Sequence, residues 1–154
     1  MKRILSALFL LVLLSVPALA SQVYSETKES SSGIVAFKTI TFTFTAVAEG
    51  AITAEAINAE NYDKIKGWYL FAVEGDPGTT APTDNWDAPI VNSMGSNVAG
   101  NAAMNFDATT SESRGLLDTA GNAWFYPVTD TLTVTPAGNS EVGAIVRVRL
   151  LFVR

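Results

Sequence analysis

Residues 39–46 read Thr-Ile-Thr-Phe-Thr-Phe-Thr-Ala. In an extended chain successive side chains point to opposite faces, so Ile40, Phe42, Phe44 and Ala46 share one side. Thr39, Thr41, Thr43 and Thr45 share the other. Such strict alternation, with β-branched polar residues on the wet side, predicts a strand with one face on a core and one in water. The same pattern returns at Thr131-Leu132-Thr133-Val134-Thr135. It returns again over residues 142–153, where Val146, Val148, Leu150 and Phe152 face inward while Arg147 and Arg149 face outward. Those arginines invite pairing with an acidic neighbouring subunit, or serve as edge-protecting charges on a solvated face.

A different signal runs from Gly67 to Asp87. Trp68-Tyr69-Leu70-Phe71-Ala72-Val73 is a continuous apolar run between turn residues, which reads as a strand buried on both faces. It leads into a polar loop in which Asp76-Pro77-Gly78 forms a turn, since proline presets φ and glycine tolerates its positive values. Pro82 and Asp84-Asn85 punctuate the loop further. Residues 88–91 read as a brief strand held to an edge by Pro89. Residues 92–112 read as a long connection with at most one short helical turn, anchored by Val98, Met104 and Phe106. Trp124-Phe125-Tyr126-Pro127-Val128 opens the C-terminal strands, and Pro136-Ala137-Gly138-Asn139-Ser140 reads as a hairpin connection. Residues 51–66 contain helix-favouring alanine and glutamate, yet period two fits as well, and a short strand or irregular turn is expected there. The sum is about seven strands in an all-β fold. A single antiparallel β-sandwich over residues 34–154, Ig-like or jelly-roll-like, is expected, with a small β-barrel as the second choice.

The N-terminus carries a different kind of information. Lys2-Arg3, an apolar stretch from Ile4 to Val16 and the small residues Ala18 and Ala20 make a secretory signal peptide over residues 1–20. Export to the periplasm, cell surface or exterior follows, and the absence of cysteine excludes a lipoprotein anchor. Residues 21–33 are polar and low in complexity, and read as a flexible arm, or as a strand only where something pairs with it. No later stretch approaches the ~20 apolar residues a spanning helix requires. Removing Lys2 and Arg3 from the ten basic residues leaves eight against fifteen acidic ones. Nucleic acid and anionic lipid are poor partners for such a surface.

The chain has no histidine and no cysteine. Ser-His-Asp and Cys-His nucleophile systems are therefore impossible, as are zinc sites of ordinary composition. No phosphate-cradling glycine motif precedes a helix, and no cofactor is implied. Carboxylates remain. Asp84 and Asp87 flank Trp86, with Asp76 upstream, but acids in turns commonly cap backbone amides, and no catalytic residue is assigned. Asp84 and Asp87, with Asp76 and Asn85, are also hard oxygen donors of the kind calcium takes, although no loop has the usual calcium spacing. Trp86, Trp124 and Tyr126 are candidates for a glycan-binding platform. The alternative for them is to seal the ends of the sandwich.

The order of these pieces resembles a known group. The Thr-alternating strand is followed by Gly67-Trp68-Tyr69-Leu70, Asp76-Pro77-Gly78, Ala81-Pro82-Thr83-Asp84-Asn85-Trp86-Asp87 and a closing Gly138-Asn139-Ser140. It is similar to small proteins encoded among the structural genes of tailed bacteriophages and prophages, which commonly carry GYL, NPG, APTDNYD and SGNS or NNS. The resemblance implies a non-enzymatic, virion-associated or particle-decorating β-domain. Its partners would be other copies of itself or a surface or particle protein. Asp76, Pro77, Gly78, Pro82, Asp84, Asn85 and Asp87 would form the loop that contacts a neighbour.

Overall fold

The computed structural model describes residues 20–28 and 35–154. The leader expected over residues 1–20 and the end of the expected arm therefore lie, Ala20 aside, outside the described residues. The fold is all-β and sandwich-like. A six-stranded antiparallel sheet runs β1 (Ser21–Lys28), β2 (Val35–Thr45), β9 (Ile145–Val153), β4 (Tyr69–Pro77) and β6 (Glu112–Gly115), with β7 (Tyr126–Pro127) also paired to β4. A three-stranded sheet runs β3 (Glu55–Ala56), β8 (Thr133–Val134) and β5 (Ile90–Val91).

The alternation in β2 and β9 does what its period dictates. Ile40 faces Leu150, Phe42 faces Val148 and Phe44 faces Val146 across the ladder, and all six are buried. They share one core with Ile90 and Val134 of the smaller sheet and with Leu132, Trp86 and Phe106. Burying each such side chain stabilises the fold by roughly 1.5–3 kcal/mol. On the opposite face the arginines of β9 find acids within their own chain. Arg147 bonds Asp76 at 2.8 Å, and Arg149 bonds Glu74. The neighbouring subunit considered from the sequence is not needed to pair them.

Four expectations change. The apolar run at 68–73 is not buried on both faces, because Tyr69 is exposed. Its register slips between Leu70 and Ala72, so Phe71 is an extra residue and Ala72 and Val73 are buried in succession. Residues 136–140 do not connect a hairpin: β8 lies in the small sheet and β9 in the large one, so this turn carries the chain between layers. A helix, α1 (Ala59–Ile65), occupies part of the ambiguous region. Asn58 caps it by accepting the Asn61 N–H at 2.9 Å, and Glu60 pairs with Lys64 at 2.7 Å. Finally, residues 21–28, read as an arm, pair with β2 as the strand β1. The Gln22 side chain fixes that strand to the other sheet. Its Nε2 donates to the Ala56 carbonyl at 2.7 Å, and its Oε1 accepts from the Asn58 N–H at 3.1 Å.

One glycine of β4 is dictated by packing. A Cβ on Gly75 would lie 2.5–2.8 Å from three atoms of the Phe106 ring, so the ring rests directly on the strand backbone. Phe106 in turn stands 4.9 Å, centroid to centroid, from Trp86. The long 92–112 connection is thereby anchored to the core of the sandwich, and the 76–87 loop is held beside it.

Candidate functional site

The loop that most suggested chemistry is a fastening. Trp86 is fully buried, and its Nε1–H donates to the Asp107 carbonyl at 3.2 Å. It pairs with Phe106 as an isolated antiparallel bridge, and the next residue, Asp87, pairs with Ala137 in the same way. Trp86 is therefore core and cannot serve a surface glycan platform. Its flanking acids deal with backbone. Asp87 accepts the Asn105 N–H at 2.7 Å, and Asp84 accepts the Ala108 N–H at 3.3 Å. Asp76 accepts from the Ser111 hydroxyl at 3.1 Å in addition to Arg147. Among the described residues no three acidic side chains converge as a metal cage.

Three residues never assigned a site role hold the loop to the inter-sheet turn. Asn139 Oδ1 accepts from the N–H groups of Thr83 at 2.9 Å and Glu141 at 3.2 Å. Its Nδ2 donates to the carbonyls of Gly50 at 2.8 Å and Glu141 at 3.0 Å. The Thr83 hydroxyl accepts the Ser140 N–H at 2.8 Å and meets the Ser140 hydroxyl at the same distance. Gly50, at φ 75°, lies so close that a Cβ there would overlap the Ser140 backbone. Four segments thus meet: 48–50, 82–87, 104–108 and 137–141. The sequence held the residues, since Thr83 and the Asn139-Ser140 pair both stand in proline- and glycine-punctuated turn fragments. What it lacked was any indication that the two fragments touch.

Of the other loop residues, Pro82 is buried. Gly78 donates its N–H to the Ile145 carbonyl at 2.7 Å, which leaves a Cβ no room against Ile145. Pro77 ends β4 opposite Val146, and Asn85 takes a left-handed φ of 60° at the exposed tip. The loop's interface-type residues are arranged as parts of a turn lattice.

The remaining aromatic candidates separate. Tyr126 packs against the core, and its hydroxyl meets the Asn92 amide at 3.3 Å. Trp124 is 47% exposed. It stands on a tight hairpin made where Leu117 bridges Ala123 and the Trp124 N–H donates to the Leu116 carbonyl at 2.8 Å. The intended trio is not one surface. A different apolar surface lies at one end of the outer sheet face. Phe37 and Phe71 approach at 5.7 Å, Leu151 lies opposite Ala72, and Tyr69 lies between Val153 and Pro127. Phe37 and Tyr69 are both more than a third exposed.

No helix among the described residues is long and apolar enough to cross a membrane. No protein-family model matches the chain, and no curated protein matches it.

Proposed function

We propose that this chain is a non-enzymatic, exported β-domain that assembles with copies of itself as a structural or surface subunit. The observation that carries this reading is the fate of the 76–87 loop. Each of its three carboxylates is directed to a backbone amide, an arginine or a hydroxyl, and its tryptophan is buried. Side chains that hold loops in this way are oriented by the scaffold, which supports a structural rather than a catalytic role for them. The likeness to particle-decorating phage domains is part of this proposal and rests on the same fragments.

The self-contact is assigned to the outer sheet face. Without the leader the chain carries eight basic residues against fifteen acidic ones, so two copies repel over most of their surfaces. On this face, however, the Arg147–Asp76 and Arg149–Glu74 pairs cancel, and Phe37, Tyr69 and Phe71 supply apolar area beside them. Neutral, partly apolar area on an acidic body is where like copies meet at least electrostatic cost. The full-length chain, expressed with its own leader in a bacterium, is expected outside the cytoplasm with Ser21 as its first residue. Light scattering should then give a multiple of the monomer mass that falls to the monomer in Phe37→Glu/Tyr69→Glu. A strict monomer at all concentrations refutes the assembly reading, and retention in the cytoplasm with an intact leader refutes export.

A further inference from the structure

A cavity of ligand-binding size among the described residues is not at the 76–87 loop. It is a cleft of about 700 Å³ between the helical turn at 100–103 and the hairpin at 115–124, joined to a second hollow of about 300 Å³ that shares Gly100, Leu117, Asp118 and Thr119. The larger volume lies within the roughly 300–1,000 Å³ typical of small-ligand sites. Trp124 and Asn97 border the smaller hollow and Asn101 the larger, while Leu117 is 61% exposed between them. We propose that this cleft binds a neutral oligosaccharide, with a sugar ring stacked on Trp124 and Leu117 and its hydroxyls bonded by Asn101, Thr119 and the glycine-bearing backbone.

The chemistry of the lining selects that class. An exposed indole beside a leucine offers a flat apolar platform, and its N–H remains a donor, which suits a ligand with one apolar face and polar edges. The Asn101 amide and the Thr119 hydroxyl have no protein partner among the described residues, so both present hydrogen-bonding capacity to the cleft. Anionic ligands are disfavoured. Arg114, the cation on the lining, is already committed to the carbonyls of Met104 and Asn105 and to Glu112. Cationic ligands gain little either. The one carboxylate, Asp118, is fastened by the N–H groups of Ala120 at 2.8 Å and Asn122 at 2.9 Å and by the Asn122 amide. Those bonds also fix the hairpin tip, so the platform is preorganised rather than assembled on binding. The cleft is lined by residues 97–102 and 114–124, none of them assigned to self-contact, so the two proposals are tested by different variants.

The three tryptophans make the test selective. Trp68 and Trp86 are buried, so iodide quenching reads Trp124. The full chain is titrated with cello-, chito- and malto-oligosaccharides and a laminarin oligosaccharide, with a proline-rich peptide alongside. At least one saccharide is expected to saturate, to shield Trp124 from iodide, and to lose affinity by about tenfold or more in Trp124→Ala, as truncation of an aromatic anchor does. By calorimetry Asn101→Ala and Thr119→Ala should weaken the same saccharide several-fold at unchanged Tm. Saturation by none of the saccharides overturns the proposal. So does undiminished affinity in Trp124→Ala, or binding of the peptide alone.

Discussion

The 76–87 loop, with three aspartates, and the 115–124 hairpin, with one, each carry a tryptophan, and they use these residues in opposite ways. In the loop Trp86 is sunk against Phe106, and the acids reach across to amides of the 104–108 segment. In the hairpin the acid folds back on its own turn, and Trp124 is left half in solvent beside a cleft. Long-range hydrogen bonds make the first region part of the scaffold. Local ones make the second a self-contained projection. The density of acids and aromatics in sequence is therefore a poor guide to which region meets a ligand; the sequence separation of their partners is a better one.

The largest effect should separate the two tryptophans. Trp86→Ala removes a fully buried side chain at the junction of four segments and is expected to cost about 3–5 kcal/mol. Trp124→Ala, on an exposed hairpin, should stay within about 0.5 kcal/mol in stability. Guanidinium unfolding followed by circular dichroism decides it. Equal costs for the two variants would erase the contrast.

Next in size is the fastening itself. Asn139→Ala removes an acceptor shared by two N–H groups and a donor shared by two carbonyls, partly buried, and should cost about 1–3 kcal/mol. Thr83→Ala should cost less alone. Because Thr83 and Asn139 bind the same turn, the double variant is expected to depart from additivity by about 0.5–3 kcal/mol. Additive losses would mean that the loop and the inter-sheet turn are held separately.

These contrasts also show what the chain discloses before folding. The alternation in β2 and β9 was legible because a period of two admits one burial pattern, and the core residues it names are buried. The bulge at Phe71 was not, since an unbroken apolar run looks the same whether it is buried on both faces or slipped by one residue. The split of β8 and β9 between sheets was hidden because Pro136-Ala137-Gly138 is good turn chemistry for a hairpin and for a crossing alike. For α1 the cap at Asn58 was present in the sequence, but seven helical residues give too few turns for the periodicity to prevail. For Trp86 the local sequence admits both a sealing role and a surface role, because its neighbours are Asp84, Asn85 and Asp87. The burial depends on Phe106, twenty positions on, which nothing local announces.

A smaller effect tests whether the loop acids matter as charges or as acceptors. Asp84→Asn and Asp87→Asn keep an oxygen for the Ala108 and Asn105 N–H groups. Each should lie within about 0.5 kcal/mol of the parent, whereas Asp87→Ala, which strands an amide, should cost about 1 kcal/mol. Millimolar calcium should leave the Tm of the parent unchanged. A calcium-dependent rise lost in both asparagine variants would turn this region from fastening into metal site.

The smallest effect concerns acid, and it bears on the hairpin tip and on the 107–112 segment next to the loop. The Asn122 backbone N–H, then its side-chain amide, hold the Asp118 carboxyl below its ordinary value. The Thr109 hydroxyl, followed by the Thr109 and Thr110 N–H groups, does the same to Asp107, and Arg114 does so to Glu112. A carboxyl depressed in the folded state stabilises it above the unfolded-state value, near 4 for these groups, and that contribution disappears as pH falls through the folded value. Urea midpoints should accordingly be flat from about pH 7 to 5 and decline below about pH 4. Asp118 is exposed and Asp107 and Glu112 are partly so, and solvent screening keeps the decline shallow. Carboxyl ¹³C titrations assign it by residue. Asp118 titrating at or above an ordinary aspartate would mean that the hairpin tip is not fastened. The Trp124 platform would then have to be ordered on binding, and the difference in rigidity between it and the loop would be one of degree.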